Sequence, residues 1–475
     1  MKKKVHIIGV AGQLSGPLAK TLQDNDWQVT GSDHSNIYPP ATDYLEVNKI
    51  EYSRGYSAKN IKKNLDLVIV AGSALAYDPQ NPEVIRAKKL GLKVISQAQA
   101  IRQVVIKKNS IVVAGTYGKT TTTAMLVSIF KKANLNPSYM FGGMTKDLTD
   151  PLRITNSDWS IVEGDEYPTL GFNPRSKFLF YRPSYLILTA ARWEHQDVFK
   201  TEKDYLATFK KLLKLIPENG FVLASKSGKN VLKILKRFAG KKLFYSAVKN
   251  EKGNWRAGSI ELSKQGSKFL LSGKNGQKLL LRLRVLGKHN VENAVAAAGL
   301  ALELGLDKQA VRQGLESFLG LQRRLETLGK FNGVTVIKDV SQTKPRVAAA
   351  LQALQDHFPK KRVLVVFDPH CSGLFYRASL KDYPGMFDRA DMVIISQVTF
   401  KKEIPKKERV LGKDIVAMVK KTQPRVKYLP VGKDLVGEVL RFVRPTDVII
   451  FMSSGGLRGE KIRNEIIAKL KEREK

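Results

Sequence analysis

The clearest chemical signal in the chain is the segment Gly115-Thr116-Tyr117-Gly118-Lys119-Thr120-Thr121, which follows the apolar stretch Ser110 to Ala114. A glycine-rich bend between a strand and a helix turns backbone N–H groups toward one point, and the helix dipole favours negative charge there. That point suits the triphosphate of ATP. Lys119 has the reach to meet the β and γ phosphates, and Thr120 or Thr121 offers a hydroxyl to a bound Mg²⁺. The strict phosphate-loop pattern fails at its first glycine, since Val113 stands five positions before Gly118. The order of strand, Gly-Thr-x-Gly-Lys-Thr and helix is retained, which an ordinary threonine-rich turn does not require.

Two later segments supply acids and an imidazole. Glu163 ends the run Trp159-Ser-Ile-Val-Glu163 and is followed by Gly-Asp165-Glu166, while His195 lies in Arg192-Trp-Glu194-His195-Gln-Asp197, just after Tyr185 to Thr189. The strand ends of a parallel sheet face the crevice where ligands bind. Glu163 and His195 are therefore expected to converge on one Mg²⁺, with Glu166 mattering less. Taken alone, such an acid cluster reads equally as a solvated loop, and a single histidine is more often a core or surface residue.

These groups need a scaffold of alternating strands and helices. Residues 1–105 show it in the strands Lys3 to Val10, Gln28 to Ser32, Leu65 to Ala71 and Lys93 to Ser96, with helices from about Gly16 to Asn25 and from Pro82 to Leu90. A second unit, 106–328, opens on Ser110 to Ala114 and the helix Lys119 to Lys132. It continues through Trp159 to Glu163, Tyr185 to Thr189, a helix near Glu202 to Ile216, a polar β-rich insertion from Lys241 to Val285, and the helix Val291 to Glu303. A third, 329–475, carries the strands Thr335 to Lys338, Arg362 to Phe367, Met392 to Ser396 and Asp447 to Met452. The expectation is an α/β protein of three domains, consistent with a length of 475 residues.

Composition narrows the setting. The single cysteine, Cys371, has no internal partner and no paired metal-binding motif, which fits a reducing compartment and a cytoplasmic protein. The apolar run after Lys4 is too short for a signal peptide, and no stretch approaches the roughly 18 apolar residues of a membrane span. Lysine and arginine number 81 against 43 acids, a formal charge of +38. Such a field attracts polyanions. No finger, RNA-binding sheet signature or arginine-rich arm accompanies it, so dispersed surface lysine is the expected meaning and nucleic acid an unlikely partner. A monomer or weak homodimer is expected.

Read together, the glycine segment, Glu163-Gly-Asp-Glu166 and Glu194-His195-Gln-Asp197 resemble the ATP loop, the Glu-Ala-Asp-Glu segment and the Asp-His-x-Asp segment of the Mur ligases of bacterial cell wall synthesis. The similarity continues through Gly287-Lys-His289-Asn290-Val-Glu-Asn293, Gln322-Arg323-Arg324-Leu325-Glu326 and Asp447 to Gly459. It implies a Rossmann-like N-terminal domain for a UDP-sugar, a central P-loop ATPase domain and a C-terminal α/β domain for an amino acid or peptide. It further implies that Gly115, Thr116, Gly118, Lys119, Thr120 and Thr121 hold ATP, and that Thr120, Glu163 and His195 hold Mg²⁺. Asn290 and Asn293 would meet the adenine, Arg324 the phosphates and Asp339 the nucleotide. Gly9, Gly12, Gly16 and Asp33 would serve the UDP-sugar, with Arg175 and His370 as further substrate contacts.

The implied activity is ATP-dependent ligation: a carboxylate is activated as an acyl phosphate, with Lys119, Glu163, His195 and Arg324 as the catalytic set, and an amine then attacks. Gly31-Ser-Asp33-His-Ser-Asn36-Ile-Tyr38-Pro39-Pro40, Asn173-Pro-Arg175-Ser176-Lys177-Phe178 and Ser453-Ser-Gly455-Gly456 are similar to the branch that recycles peptidoglycan by joining an L-alanyl peptide to UDP-N-acetylmuramate. Asp368-Pro369-His370 instead echoes the branch that joins free L-alanine, which is the alternative. A third reading is a divergent nucleotide-binding or nucleic-acid-associated protein without ligation. The chain departs from the family where Asp339-Val-Ser341-Gln342-Thr343-Lys344-Pro345 lacks both histidines of Asp-x-Ala-His-His-Pro, and where Ala190, Arg192 and Glu194 replace Asn, Glu and Asp. Lys210 or Lys211 lies where some relatives carry a carbamylated lysine.

Overall fold

The computed structural model describes residues 2–39, 41–147, 150–171, 175–195, 198–274, 276–369, 372–398, 404–453 and 457–474. The chain forms two compact units. The first contains Met1–Ile260, Phe269–Arg282 and His289–Leu319; the second contains Glu261–Lys268, Leu283–Lys288 and Gly320–Lys475.

The first unit opens with the parallel sheet β3-β2-β1-β4-β5, built from β1 (Lys4–Ile8), β2 (Gln28–Asp33), β3 (Glu51–Arg54), β4 (Leu67–Val70) and β5 (Val94–Ser96). β4 reads Leu-Val-Ile-Val and is buried throughout, as expected of a parallel strand covered on both faces. The order reverses at β1, and Gly9 leaves that strand beside β4, at the switch point where ligands bind in open α/β sheets.

A ten-stranded sheet follows, assembled from β6 (Asn109–Ala114), β7 (Ser138–Met140), β8 (Leu152–Arg153), β9 (Trp159–Gly164), β10 (Tyr185–Leu188), β11 (Phe221–Ser225), β12 (Lys241–Ser246), β13 (Trp255–Ser263), β14 (Gly266–Gly273) and β15 (Lys278–Leu283). Its order is β15-β14-β13-β12-β11-β10-β6-β9-β7-β8. β6 lies parallel between β10 and β9, so the loops leaving these three strands emerge side by side. That arrangement positions the site.

The regions expected as first and second domains share one unit because their elements are bonded together. Thr21 Oγ1 donates to the Leu152 carbonyl at 3.0 Å, the Tyr44 hydroxyl to Asp150 at 3.0 Å, and Gln13 Nε2 to the Gly142 carbonyl at 3.1 Å. A continuous apolar core runs from Val5 and Leu18 through Ile101 to Val112, Phe178 and Phe209.

The second unit holds a six-stranded sheet of order β16-β17-β21-β18-β19-β20, from β16 (Glu326–Phe331), β17 (Val334–Asp339), β18 (Val363–Asp368), β19 (Met392–Ile395), β20 (Val426–Tyr428) and β21 (Val448–Ser453). β16 is an antiparallel edge that sequence reading missed, although Asn332-Gly333 marked it. Both residues have positive φ, 45° and 75°, the requirement of a tight hairpin turn. The helix expected from Val291 begins earlier, at Lys288. Among the described residues no helix is long and apolar enough to cross a membrane.

Candidate functional site

The loop after β6 is shaped by two glycines and stitched to the loop after β10. Gly115 has φ 133° and Gly118 φ 77°. A Cβ on Gly115 would collide with Thr189 Oγ1 and the Ala190 carbonyl, and one on Gly118 with Asn293 Oδ1. Thr116 N–H donates to the Ala190 carbonyl at 2.9 Å, and Thr189 Oγ1 donates to the Tyr117 carbonyl at 2.6 Å. Thr116 Oγ1 donates to the Arg192 carbonyl and accepts from its N–H. Positions 190 and 192, where the chain departs from the family pattern, thus support the loop through backbone atoms, which a residue of any type supplies.

The helix Lys119–Lys132 begins at Gly118, with Thr120 buried and Thr121 half-buried beside Lys119. Lys119 Nζ donates to the Gly115 carbonyl at 2.5 Å and pairs with Glu166 at 3.0 Å. Burial disfavours the ammonium, but Glu166, Glu163 and Asp165 outweigh it and raise its pKa above the ordinary value.

Glu166 is the hub that sequence reasoning undervalued. It is 1% exposed; one carboxylate oxygen meets Lys119, and the other receives the Tyr205 hydroxyl at 3.3 Å and faces His195 Nε2 at 3.5 Å. Burial pushes its pKa up, yet the His195 hydrogen bond and the Lys119 charge prevail and hold it at about 2. The same hydrogen bond raises the pKa of His195. Glu163 acts on Lys119 through its charge, while its Oε2 accepts the Gly142 N–H at 2.7 Å. The structure brings His195 together with Glu166 and Glu194, whose donor atoms lie within 4.8 Å of one another. The cause is the turn after β9, which carries Glu166 over the glycine loop. Carboxylates are suitable donors for a hard divalent cation, whereas an imidazole is a borderline donor; the glycines let Thr189, Ala190 and Asn293 pack directly against the loop backbone.

The other expected residues lie on helices and in turns. Asn293 is buried, and its Nδ2 donates to Asn290 Oδ1 at 3.0 Å. Gly9 has φ 85°, and Gly12 and Gly16 follow in the turn and first helix. Asp33 braces this turn, accepting the Ala11 and His34 N–H groups at 2.8 Å each and the Tyr56 hydroxyl at 3.2 Å. Arg175 is exposed over the Phe180 ring at 5.3 Å, the N–H of Thr169 donating to its carbonyl. Lys210 and Lys211 are exposed on the helix Glu202–Leu213.

In the second unit, Asp339 accepts the Leu325 and Ser341 N–H groups at 2.8 and 2.7 Å and so fixes the strained segment around exposed Arg324. Burial raises its pKa despite those bonds. Gln342, in the stretch lacking histidines, donates to the Met452 carbonyl at 3.2 Å, and Lys344 Nζ is held by the Pro384 carbonyl at 2.6 Å. His370 lies outside the described residues, as do Asn173 and residues Ser454, Gly455 and Gly456.

Three family descriptions match in order: Mur ligase family, catalytic domain, over residues 4–108; Mur ligase middle domain over 113–301; and Mur ligase, glutamate ligase domain, over 323–455. The UDP-N-acetylmuramate–L-alanine ligase of Clostridium kluyveri is 32% identical over 83% of each chain. Its counterpart in Caldicellulosiruptor saccharolyticus is 30% identical over 95% of this chain and 96% of its own. Among solved structures, the UDP-N-acetylmuramate–alanine ligase of Thermotoga maritima matches with TM-score 0.79 at 24% identity, covering 99% of both chains. The UDP-N-acetylmuramate:L-alanyl-γ-D-glutamyl-meso-diaminopimelate ligase of Neisseria meningitides gives 0.61 at 27% identity, covering 68% of this chain and all of that one.

The three family domains and the site together define an α/β ligase of the ATP-dependent, amide-bond-forming class. The chain belongs to the Mur ligase family. The relatives favour the alanine branch, which sequence reading ranked second.

Proposed function

We propose that this chain joins L-alanine to the carboxylate of UDP-N-acetylmuramate, consuming ATP with Mg²⁺ as cofactor. The carrying observation is the constellation at the ends of β6, β9 and β10, in which Glu166 ties Lys119 of a cradle-forming glycine loop to His195. The substrates are those named for relatives 30–32% identical over most of the chain. A carboxylate is a poor electrophile until phosphorylated. Lys119 stabilises charge on the transferring oxygens, and the oriented N–H groups of the loop receive the remaining phosphates. Thr120, Glu163, Glu166 and His195 are the side chains available to a divalent ion, which supplies further charge neutralisation when bound. The glycine turn after β1, braced by Asp33, receives the diphosphate of the sugar nucleotide.

A second reading keeps the same chemistry with an L-alanyl peptide as amine. It is favoured by the Gly31 to Pro40 and Arg175 to Phe178 segments and by the likeness to the Neisseria peptide ligase. Incubation with ATP, Mg²⁺ and UDP-N-acetylmuramate, offering either L-alanine or L-alanyl-γ-D-glutamyl-diaminopimelate, separates the two by product mass and kcat/KM. Preference for alanine is the expected result; preference for the peptide selects the second reading. Product from neither, with ATP still bound, would remove ligation altogether.

A further inference from the structure

His357, at the end of the helix Lys344–His357, is 2% exposed and makes two backbone hydrogen bonds within the second unit. Its Nδ1 lies 2.6 Å from the Ser263 carbonyl, at the tip of the β13–β14 hairpin, and its Nε2 lies 2.7 Å from the Gly287 nitrogen. A carbonyl can only accept and an N–H can only donate. Nδ1 must therefore carry the proton and Nε2 must present its lone pair, so one neutral tautomer satisfies both neighbours.

Gly287 is the residue before the helix Lys288–Glu303 and has φ 100°, a conformation open to glycine and strained for other residues. Its N–H donates to His357 Nε2, one residue before the helix begins. The first turns of that helix carry Asn290 and the buried Asn293. Asn293 Oδ1 occupies the space that a Cβ on Gly118 would need, and its Nδ2 is bonded to Asn290.

We infer that His357 is a positioning residue for the nucleotide: by accepting the Gly287 N–H it fixes the start of the helix whose Asn290–Asn293 pair backs the glycine loop. This inference rests on the reading that ATP occupies that loop. The Ser263 bond anchors the imidazole, and the Gly287 bond carries the effect on the nucleotide.

The two bonds can be separated by substitution. His357→Gln places an amide oxygen near the Nε2 position and can keep the Gly287 bond, whereas His357→Asn places an amide nitrogen near the Nδ1 position and keeps only the Ser263 bond. KM for ATP, kcat and melting are measured on the full chain. The Gln variant should keep KM near the parent value, and the Asn variant should raise it about fivefold, the weight of one hydrogen bond to a buried amide, with kcat nearly unchanged. Equal KM in both variants would overturn the inference, because a purely structural histidine lowers melting without splitting them. A second measurement needs no variant: saturating ADP should slow amide exchange at Gly287 in the parent protein, since coupling is reciprocal. Unaltered exchange with ADP bound would also overturn it. Failure of the parent protein to bind ADP would instead count against the ATP reading itself.

Discussion

Glu166 meets Lys119 with one oxygen and His195 with the other, so a single carboxylate sets the spacing of two groups from different strand ends. Glu166→Gln keeps the shape and removes the charge. Phosphate release should fall by roughly tenfold or more, since hydrogen bonds to charged groups are worth about 1.5–3 kcal/mol. Full turnover in this variant would show that Lys119 and His195 hold their places without it. Lys119→Ala should cost about 10² or more in rate, as loss of a transition-state charge contact does, and should also lower the melting temperature, because the buried Glu166 carboxylate loses its cation. Retention of a tenth of the activity would remove Lys119 from the catalytic set.

At the scale of elements, the glycine loop depends on its backbone and on the helix facing it. Gly118→Ala meets both a positive φ of 77° and a collision with Asn293. The conformational strain alone is about 1–2 kcal/mol, and moving Asn293 adds to it. The thermal shift produced by ADP should shrink or vanish in this variant, and a shift equal to the parent's would show that the loop tolerates a Cβ. The helix Lys344–His357 carries a pH dependence. Burial lowers the pKa of His357, the Ser263 carbonyl and Asp356 opposing it without reversing the shift. As the pH falls, the unfolded chain takes up the proton first. The stabilisation is complete above the unfolded value of about 6.5 and is lost as the pH drops through the lowered folded value. Melting of the parent should therefore decline more steeply than that of His357→Gln as the pH falls below about 6.5; parallel declines would refute the assignment.

Over the whole molecule, a formal charge of +38 creates a strong field, and because its 81 basic residues are distributed along 475 it is expected to act as general surface chemistry. Binding to unrelated DNA and RNA should be weak at physiological salt and fall steeply with added salt, because released counterions drive it. Tight, sequence-selective binding that survives such salt would reveal a nucleic-acid function. Net charge does not say which groups meet inside, though the same field would favour the approach of an anionic nucleotide.

Local patterns made much of the protein legible. Ser110 to Thr121 specified a strand, a glycine turn and a helix because each step has its own backbone chemistry, and the helix Lys119–Lys132 has the expected bounds. The apolar runs likewise marked β1, β4, β9, β10, β18 and β21 to within a few residues. Asn332-Gly333 announced a hairpin that was overlooked, so β16 was recoverable from sequence. The partner of His195 was not. Spacing along a chain sets which residues end a strand, but the turn after β9 decides which acid reaches over β6, and that turn is fixed by packing against Tyr205 and Lys119. The meeting of Ser263, Gly287 and His357 is hidden for the same reason: their segments are distant in sequence, and only tertiary folding brings two backbone groups to one imidazole.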